Sequence, residues 1–151
     1  MPKFYEVSHS RHGKHIMELK TGRSIYEQVE YPAWMIMGGR DLNRANFSVG
    51  HFYITKPFNM GGDTHSHDFD QVLFFLGGDP KNTEDFDAEI EIFLEEKYEL
   101  ITRASCVHIP AGTKHCPLIV KKVNKPFIFM DVTLAPMGSN RPPSKQASPQ
   151  E

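Results

Sequence analysis

The chain is poor in cysteine, with two residues, Cys106 and Cys116, in 151. That is too few for the disulfide framework of a small secreted domain. Long hydrophobic runs are also missing. The longest uninterrupted ones, Ala33 to Met37 and Val72 to Leu76, fall far short of the ~18 residues of a membrane helix. No membrane partner is expected. Basic charge is not in excess: 17 Lys and Arg stand against 19 Asp and Glu, a formal net charge of −2. A nucleic-acid-binding domain shows a basic face or stripe, and none is evident. The one basic cluster, Lys121, Lys122 and Lys125, reads as a solvated loop. The opening residues, MPKFYEVSHSRHGKH, contain no apolar signal core, and a cytoplasmic location is the expectation.

What is present is a series of short stretches dense in aromatic and β-branched residues, punctuated by Gly, Pro, Asn and Asp. Residues 33–37, 47–54, 71–76, 88–94, 98–101, 106–109, 118–120 and 127–134 read as strands. Many short strands with frequent turn signals and no long amphipathic helix indicate an all-β sandwich or barrel. In 88–95, Ile90, Ile92 and Leu94 fall on one face and Glu89, Glu91 and Glu95 on the other, the pattern of a half-buried strand. The acidic stretch from Asp79 to Asp87 reads as an exposed loop between two strands. Residues 1–24 are polar, without a clear period, and are expected as a mobile N-terminal arm that holds His9, His12 and His15. Residues 25–135 are expected as the single domain. Residues 136–151, rich in Pro, Ser, Gln and Lys, read as a disordered tail.

Two histidine elements carry chemistry. In Thr64-His65-Ser66-His67 the imidazoles are two residues apart, which on an extended strand puts them on one side. They could then converge on one ion at the ~2.0–2.1 Å metal–nitrogen distance. With 8 histidines in the chain, about 0.4 such pairs arise by chance, so the pair alone decides nothing. The second element is Pro110-Ala111-Gly112-Thr113-Lys114-His115, where Pro and Gly make a tight turn that delivers His115 to the next strand. A Pro-x-Gly-x-x-His match has a chance expectation of only about 0.04, and the two elements together, in this order between strands, indicate a metal site.

With these two motifs the sequence resembles the cupin superfamily. The first cupin motif runs Gly, five residues, His-x-His, three or four residues, Glu, six residues, Gly. It corresponds here to Met60 through Gly78, with His65, His67, Gln71 and Gly78. The second runs Gly, five residues, Pro-x-Gly, two residues, His, three residues, Asn, and corresponds to Pro110, Gly112 and His115. The resemblance spans about residues 45 to 134, most of the chain. Gln71 stands in place of the Glu ligand, and the leading Gly lies closer to His65 than the pattern asks. Ala104 replaces the Gly before Pro110, and Ile119 the closing Asn. The resemblance implies a single-domain double-stranded β-helix, a jelly-roll or cupin barrel, with His65, His67, Gln71 and His115 as metal ligands. It also implies a homodimer.

Gln71 offers a neutral carbonyl oxygen where Glu would offer a negative one. A divalent ion held by three neutral histidines and Gln71 keeps its full charge, which favours an anionic substrate or a water-derived ligand. Strand parity groups 65, 67, 69 and 71 on one face. Asp70 is the rival fourth ligand if the loop breaks that parity. His51, on the face of Val49 and Tyr53, is a candidate catalytic acid or base if that face lines the barrel, and a structural histidine otherwise. His108 is expected outside the first ring of ligands. Cys116, directly after a proposed ligand, is expected to point away from the metal. The nitrogen-rich ligand set suits Fe, Mn, Ni, Co or Zn. The functional expectation is a metal-dependent enzyme on a small organic substrate, oxygen-using first. An isomerase or lyase of sugar-like or keto acids is the alternative, and a non-catalytic small-ligand-binding module a second one.

Overall fold

The computed structural model describes residues 1–138, and the tail expected over 136–151 lies outside the described residues from 139 onward. After a 3-10 turn at Phe4–Glu6, the strands in chain order are β1 (Ser10–His12), β2 (Ile16–Glu18), β3 (Trp34–Met37), β4 (Ser48–Ile54), β5 (Phe58–Asn59) and β6 (Gln71–Gly77). They continue as β7 (Ala88–Leu94), β8 (Lys97–Ile101), β9 (Ser105–Ile109), β10 (His115–Val123) and β11 (Phe127–Thr133). One short helix, α1 (Gly38–Asp41), follows β3. All pairings between these strands are antiparallel. A five-stranded sheet, β3-β4-β11-β6-β9, faces a four-stranded one, β5-β10-β7-β8, and β1-β2 form a separate hairpin.

The eight stretches that read as strands are all strands. β10 extends well beyond 118–120 in both directions, because its N-terminal half pairs with β7 only across a register break between His115 and Leu118. That irregularity hides the alternation in the sequence.

Period-two alternation decides what faces inward. On β6 the residues Gln71, Leu73 and Phe75 are buried while Val72, Phe74 and Leu76 are only partly covered. β11 lies between β4 and β6 in unbroken register, Phe127 to Thr133 pairing with Ile54 to Ser48 on one side and Gly77 to Gln71 on the other. Phe127 and Phe129 therefore join Phe52, Phe75 and Leu73 in the core. These rings interlock, with Phe75–Phe129 centroids 5.2 Å apart and Phe86–Phe127 5.0 Å apart, at tilted angles suited to the ring quadrupoles. Ile90 and Ile92 of β7 and Leu118 and Val120 of β10 close the layer from the other sheet. The Phe127 end of the barrel is thus plugged with side chains, and the end at which β6 starts and β11 finishes carries the polar inner residues Gln71 and Asp131.

The outer face of the five-stranded sheet is apolar as well. Ile36, Val49 and Val132 form a second cluster there, packed by Trp34, Val72, Phe74, Met130 and by Met17 of β2. This explains the continuous run Val72 to Leu76: both faces of that strand contact apolar neighbours.

Residues 1–24 correct the expectation of a mobile polar arm. Phe4 is fully buried and stacks edge-on against Phe52 at 5.2 Å, and its backbone N–H donates to the Arg23 carbonyl. Gly22 permits this approach, since a Cβ there would lie 2.7 Å from Phe4 Cα. Both ring nitrogens of His9 are engaged: Nδ1 accepts from Lys20 N–H, so Nε2 carries the hydrogen and donates to the Met35 carbonyl. A single aromatic in a polar stretch gives no periodicity, and so leaves no pattern to read. Phe4→Ala is expected to lower the unfolding free energy by about 3–5 kcal/mol, read from urea midpoints. Ile16→Ala, at a residue 65% exposed, should shift it by less than about 0.5 kcal/mol. Equal effects would mean that the segment does not belong to the core.

Candidate metal centre

Three backbone contacts bring the histidines together. His65 and His115 form an isolated antiparallel bridge, each N–H donating to the other's carbonyl at 3.0 and 2.9 Å. Residues so paired project their side chains to the same side. His67 follows two residues later on that side, and its carbonyl accepts the Gly112 N–H at 2.8 Å. The Pro110–Thr113 turn thus hangs from the His65–His67 segment. It closes with Thr113 N–H to the Pro110 carbonyl, with Gly112 at φ +86°, a conformation that favours glycine.

The rings cluster at centroid separations of 4.5 to 5.0 Å. One nitrogen from each lies within 4.8 Å of the others. In two of them the tautomer is set by a backbone acceptor: His65 Nδ1 lies 2.8 Å from the Asp63 carbonyl and His115 Nδ1 2.9 Å from the Thr113 carbonyl. Nδ1 must carry the hydrogen in both, which leaves each Nε2 lone pair for an ion. His67 stacks on Phe69 at 4.7 Å and 11°, and neither of its buried nitrogens has a hydrogen-bond partner. Burial, reinforced by the charges of His115 and His65, pushes its pKa down to about 4. His115 is lowered too, chiefly by burial. Neutral imidazole is the form a metal requires.

Gln71 lies on the same inner face, two residues past Phe69 and buried. Its Nε2 donates to Asp131 Oδ1 at 2.6 Å, while Oε1 is buried without a partner. Asp70 points the other way. Its carboxylate accepts the Ala111 N–H at 3.0 Å and pairs with His108 Nε2 at 2.8 Å. It braces the Pro110 turn from outside, and His108 lies outside the cluster with it.

His51 corrects the candidate catalytic role. On β4 the inner residues are Phe52 and Ile54, so parity turns His51 outward. There it stacks on Trp34 at 5.1 Å and 10° and meets Tyr53 edge-on. It is a partly buried surface residue, remote in facing from the three clustered histidines. Cys116 is not among the clustered side chains. Its φ of +77° and the register break after His115 interrupt alternation, and its thiol lies close enough to Asp131 to feel that charge. Burial first, then Asp131, push the thiol pKa up to about 12. Tyr26 shares this interior: its hydroxyl donates to the Met60 carbonyl at 2.9 Å, and burial, Asp131 and Cys116 raise its pKa. The sequence reading missed Tyr26 and Asp131. Asp131 had a signal, since an acidic residue alternating with Phe127 and Phe129 must be interior if they are.

A separate hollow of about 690 Å³ lies at the opposite end of β4, β6 and β11, bordered by Tyr31, Tyr53, Asp79, Asp85 and Lys125. The acidic loop opens there, so its charges do not line the histidine site.

No protein-family profile and no curated protein sequence matches the chain. Among solved structures, an RmlC-like cupin from Shewanella frigidimarina aligns over 88% of this chain and 97% of its own, with TM-score 0.52 and 14% identity. The chain has the cupin fold. Two further cupin-fold structures align more loosely. KdgF from Halomonas sp. does so at TM-score 0.47 and 9% identity, over 78% of this chain and 86% of its own. Bacillus subtilis oxalate decarboxylase, a protein with Mn(II) centres, does so at TM-score 0.49 and 9% identity, over 78% of this chain and 27% of its own. In the cupin fold of this chain, three inward histidines from two segments could hold one divalent metal ion.

The low His67 pKa has a measurable consequence in metal-free protein. The folded value lies below the ordinary 6.5, so the unfolded state binds more protons between the two. The associated stability is complete above about pH 6.5 and is lost as pH falls to about 4, an amount on the order of 3 kcal/mol. Urea midpoints measured from pH 7 to pH 4 should fall over this window, and His67→Gln should flatten the dependence. An unchanged slope in the variant would remove His67 as its source.

Proposed function

We propose that the chain is a metal-dependent enzyme acting on a small organic molecule in the barrel mouth, with oxygen-using, dioxygenase-like chemistry as the leading reading. One observation carries the metal. Among the described residues, the buried side-chain nitrogen and oxygen atoms without a hydrogen-bond partner are His67 Nδ1, His67 Nε2 and Gln71 Oε1. Unsatisfied buried polar atoms cost about 1–3 kcal/mol each, and a cation beside the three rings would satisfy the lone-pair nitrogen of His67 and the Gln71 oxygen. Three imidazoles with an amide oxygen suit a divalent Fe, Mn, Ni, Co or Zn ion. Such an ion would supply a Lewis acid for a substrate oxygen or, if redox-active, an oxygen-binding centre.

The residues of the chain supply the remainder. His65, His67 and His115 donate as neutral rings and Gln71 as a neutral carbonyl, so no ligand cancels the ion's charge and an anionic substrate is favoured. Phe69 and the phenylalanine layer beneath it seal the site from the far end of the barrel. A second reading, an isomerase or lyase of sugar-like or keto acids, is favoured by Asp131 and Tyr26. The Asp131 carboxylate can accept a proton on the inner face, and the Tyr26 hydroxyl, kept neutral by burial, would offer a substrate oxygen a hydrogen-bonding group.

Elemental analysis of protein purified without a chelating tag tests the proposal first. Near-stoichiometric transition metal is expected in the parent, with loss in both His65→Ala and His115→Ala and retention in His51→Ala. Metal-dependent oxygen uptake with small aromatic or diketone substrates supports the leading reading. Metal-dependent turnover of keto acids without oxygen uptake selects the second. A parent that holds no metal after reloading sinks both.

A further inference from the structure

The Gln71 amide could present either end to the site, and only one end can ligate a cation. Its partner decides which. Gln71 opens β6 and Asp131 lies on the neighbouring β11, where Gln71 pairs with Thr133 and Asp131 with Leu73. The two residues are therefore diagonal neighbours on the inner face. A carboxylate only accepts hydrogen bonds, whereas a primary amide donates from nitrogen and accepts at oxygen. With Asp131 Oδ1 2.6 Å away, the amide must turn Nε2 toward Asp131. Its Oε1 is then directed away from Asp131, into a buried position with no protein partner. The reverse orientation would set two oxygen acceptors against each other and bury an unpaired NH₂.

We propose that Asp131 is a positioning residue that orients the Gln71 carbonyl toward the bound cation, holding the site's negative charge one hydrogen bond behind the ligand. This rests on the metal-binding reading above and adds to it the origin of the ligand's polarity. The pair differs from a carboxylate ligand in keeping the charge off the ion: Gln71 would touch it as a neutral donor, and Asp131 offsets only part of its charge through the amide. A positive ion polarises the amide, strengthening its N–H donation to Asp131, so ion and carboxylate reinforce each other. A purely structural bond between β6 and β11 would not depend on which end of the amide faces the histidines.

Exchanging the two side-chain chemistries separates these roles. Asp131→Asn accepts or donates equally well, so the Gln71 amide loses its imposed direction. Gln71→Glu alone places two carboxylates within hydrogen-bonding distance. The double variant Gln71→Glu/Asp131→Asn restores a donor–acceptor pair with the charge moved onto the ligand. Affinities for Co²⁺ and Mn²⁺ alone are measured by chelator competition, with the Co²⁺ absorption spectrum recorded for each protein. Circular dichroism melts of the metal-free proteins report folding. The expected result is a 10- to 100-fold loss of affinity in Asp131→Asn, recovery to parent affinity or better in the double variant, and an altered Co²⁺ spectrum in the single variant. Should Asp131→Asn fail to fold, the parent decides. In ¹⁵N-labelled metal-free protein the Gln71 side-chain NH₂, assigned by its absence in Gln71→Glu, should show slowed hydrogen exchange, and on Zn²⁺ addition its resonances should persist and move downfield as donation to Asp131 strengthens. A fast-exchanging Gln71 NH₂ would overturn the assignment. So would parent-like affinity and spectrum in a folded Asp131→Asn, and that outcome leaves the metal site standing. A parent that binds neither Co²⁺ nor Mn²⁺ removes the metal reading and this inference together.

Discussion

The register of β11 between β4 and β6 is the constraint on which the interior depends. Seven consecutive residues are paired on both sides, so none of the three strands can shift alone. A slip by one residue would exchange the two faces. Met130 and Val132 would then enter the core, and Phe127, Phe129 and Asp131 would leave it. The phenylalanine layer and the carboxylate are therefore placed by one decision. Packing makes that decision, because Phe127 and Phe129 on one face of β11 find partners only in the interior formed with Phe52 and Phe75.

The same burial that stabilises the barrel prepares the histidines. Moving His67 and His115 out of water disfavours their charged forms. Backbone carbonyls fix the tautomers of His65 and His115. Desolvation keeps His67 and His115 neutral, while the backbone carbonyls aim the Nε2 lone pairs of His65 and His115, so His115 is governed by both. The outer brace is separate. Asp70 and His108 hold the Pro110 turn on the solvent side, so the turn's position does not draw on the charge balance inside.

Much of the barrel was legible in the sequence because its strands alternate regularly. Ile90, Ile92 and Leu94 announce their face without help, and the His-x-His pair with Pro-x-Gly-x-x-His announces the site. Parity also placed Gln71 with the histidines and Asp70 opposite, as found. What failed were residues whose facing depends on a partner strand or a break. His51 was ambiguous because both faces of its sheet are apolar, so Val49 and Tyr53 beside it looked as interior as Phe52. Phe4 carried no pattern, since its burial comes from docking against Phe52 and Gly22 rather than from a strand. Tyr26 reaches the interior from a loop, where no periodicity exists to point inward.

The placement of the two cysteines gives the molecule an uneven chemical surface. Cys106 sits exposed on β9, the edge strand of the five-stranded sheet. Cys116 is held inside, beside a carboxylate, in a form that resists ionisation. Since the thiolate is the reactive species, a soft electrophile at neutral pH would find one thiol and spare the other. The fold therefore carries a built-in single attachment point on its rim. A dye or spin label placed there would stand on the edge strand, on the face opposite Val107 and Ile109.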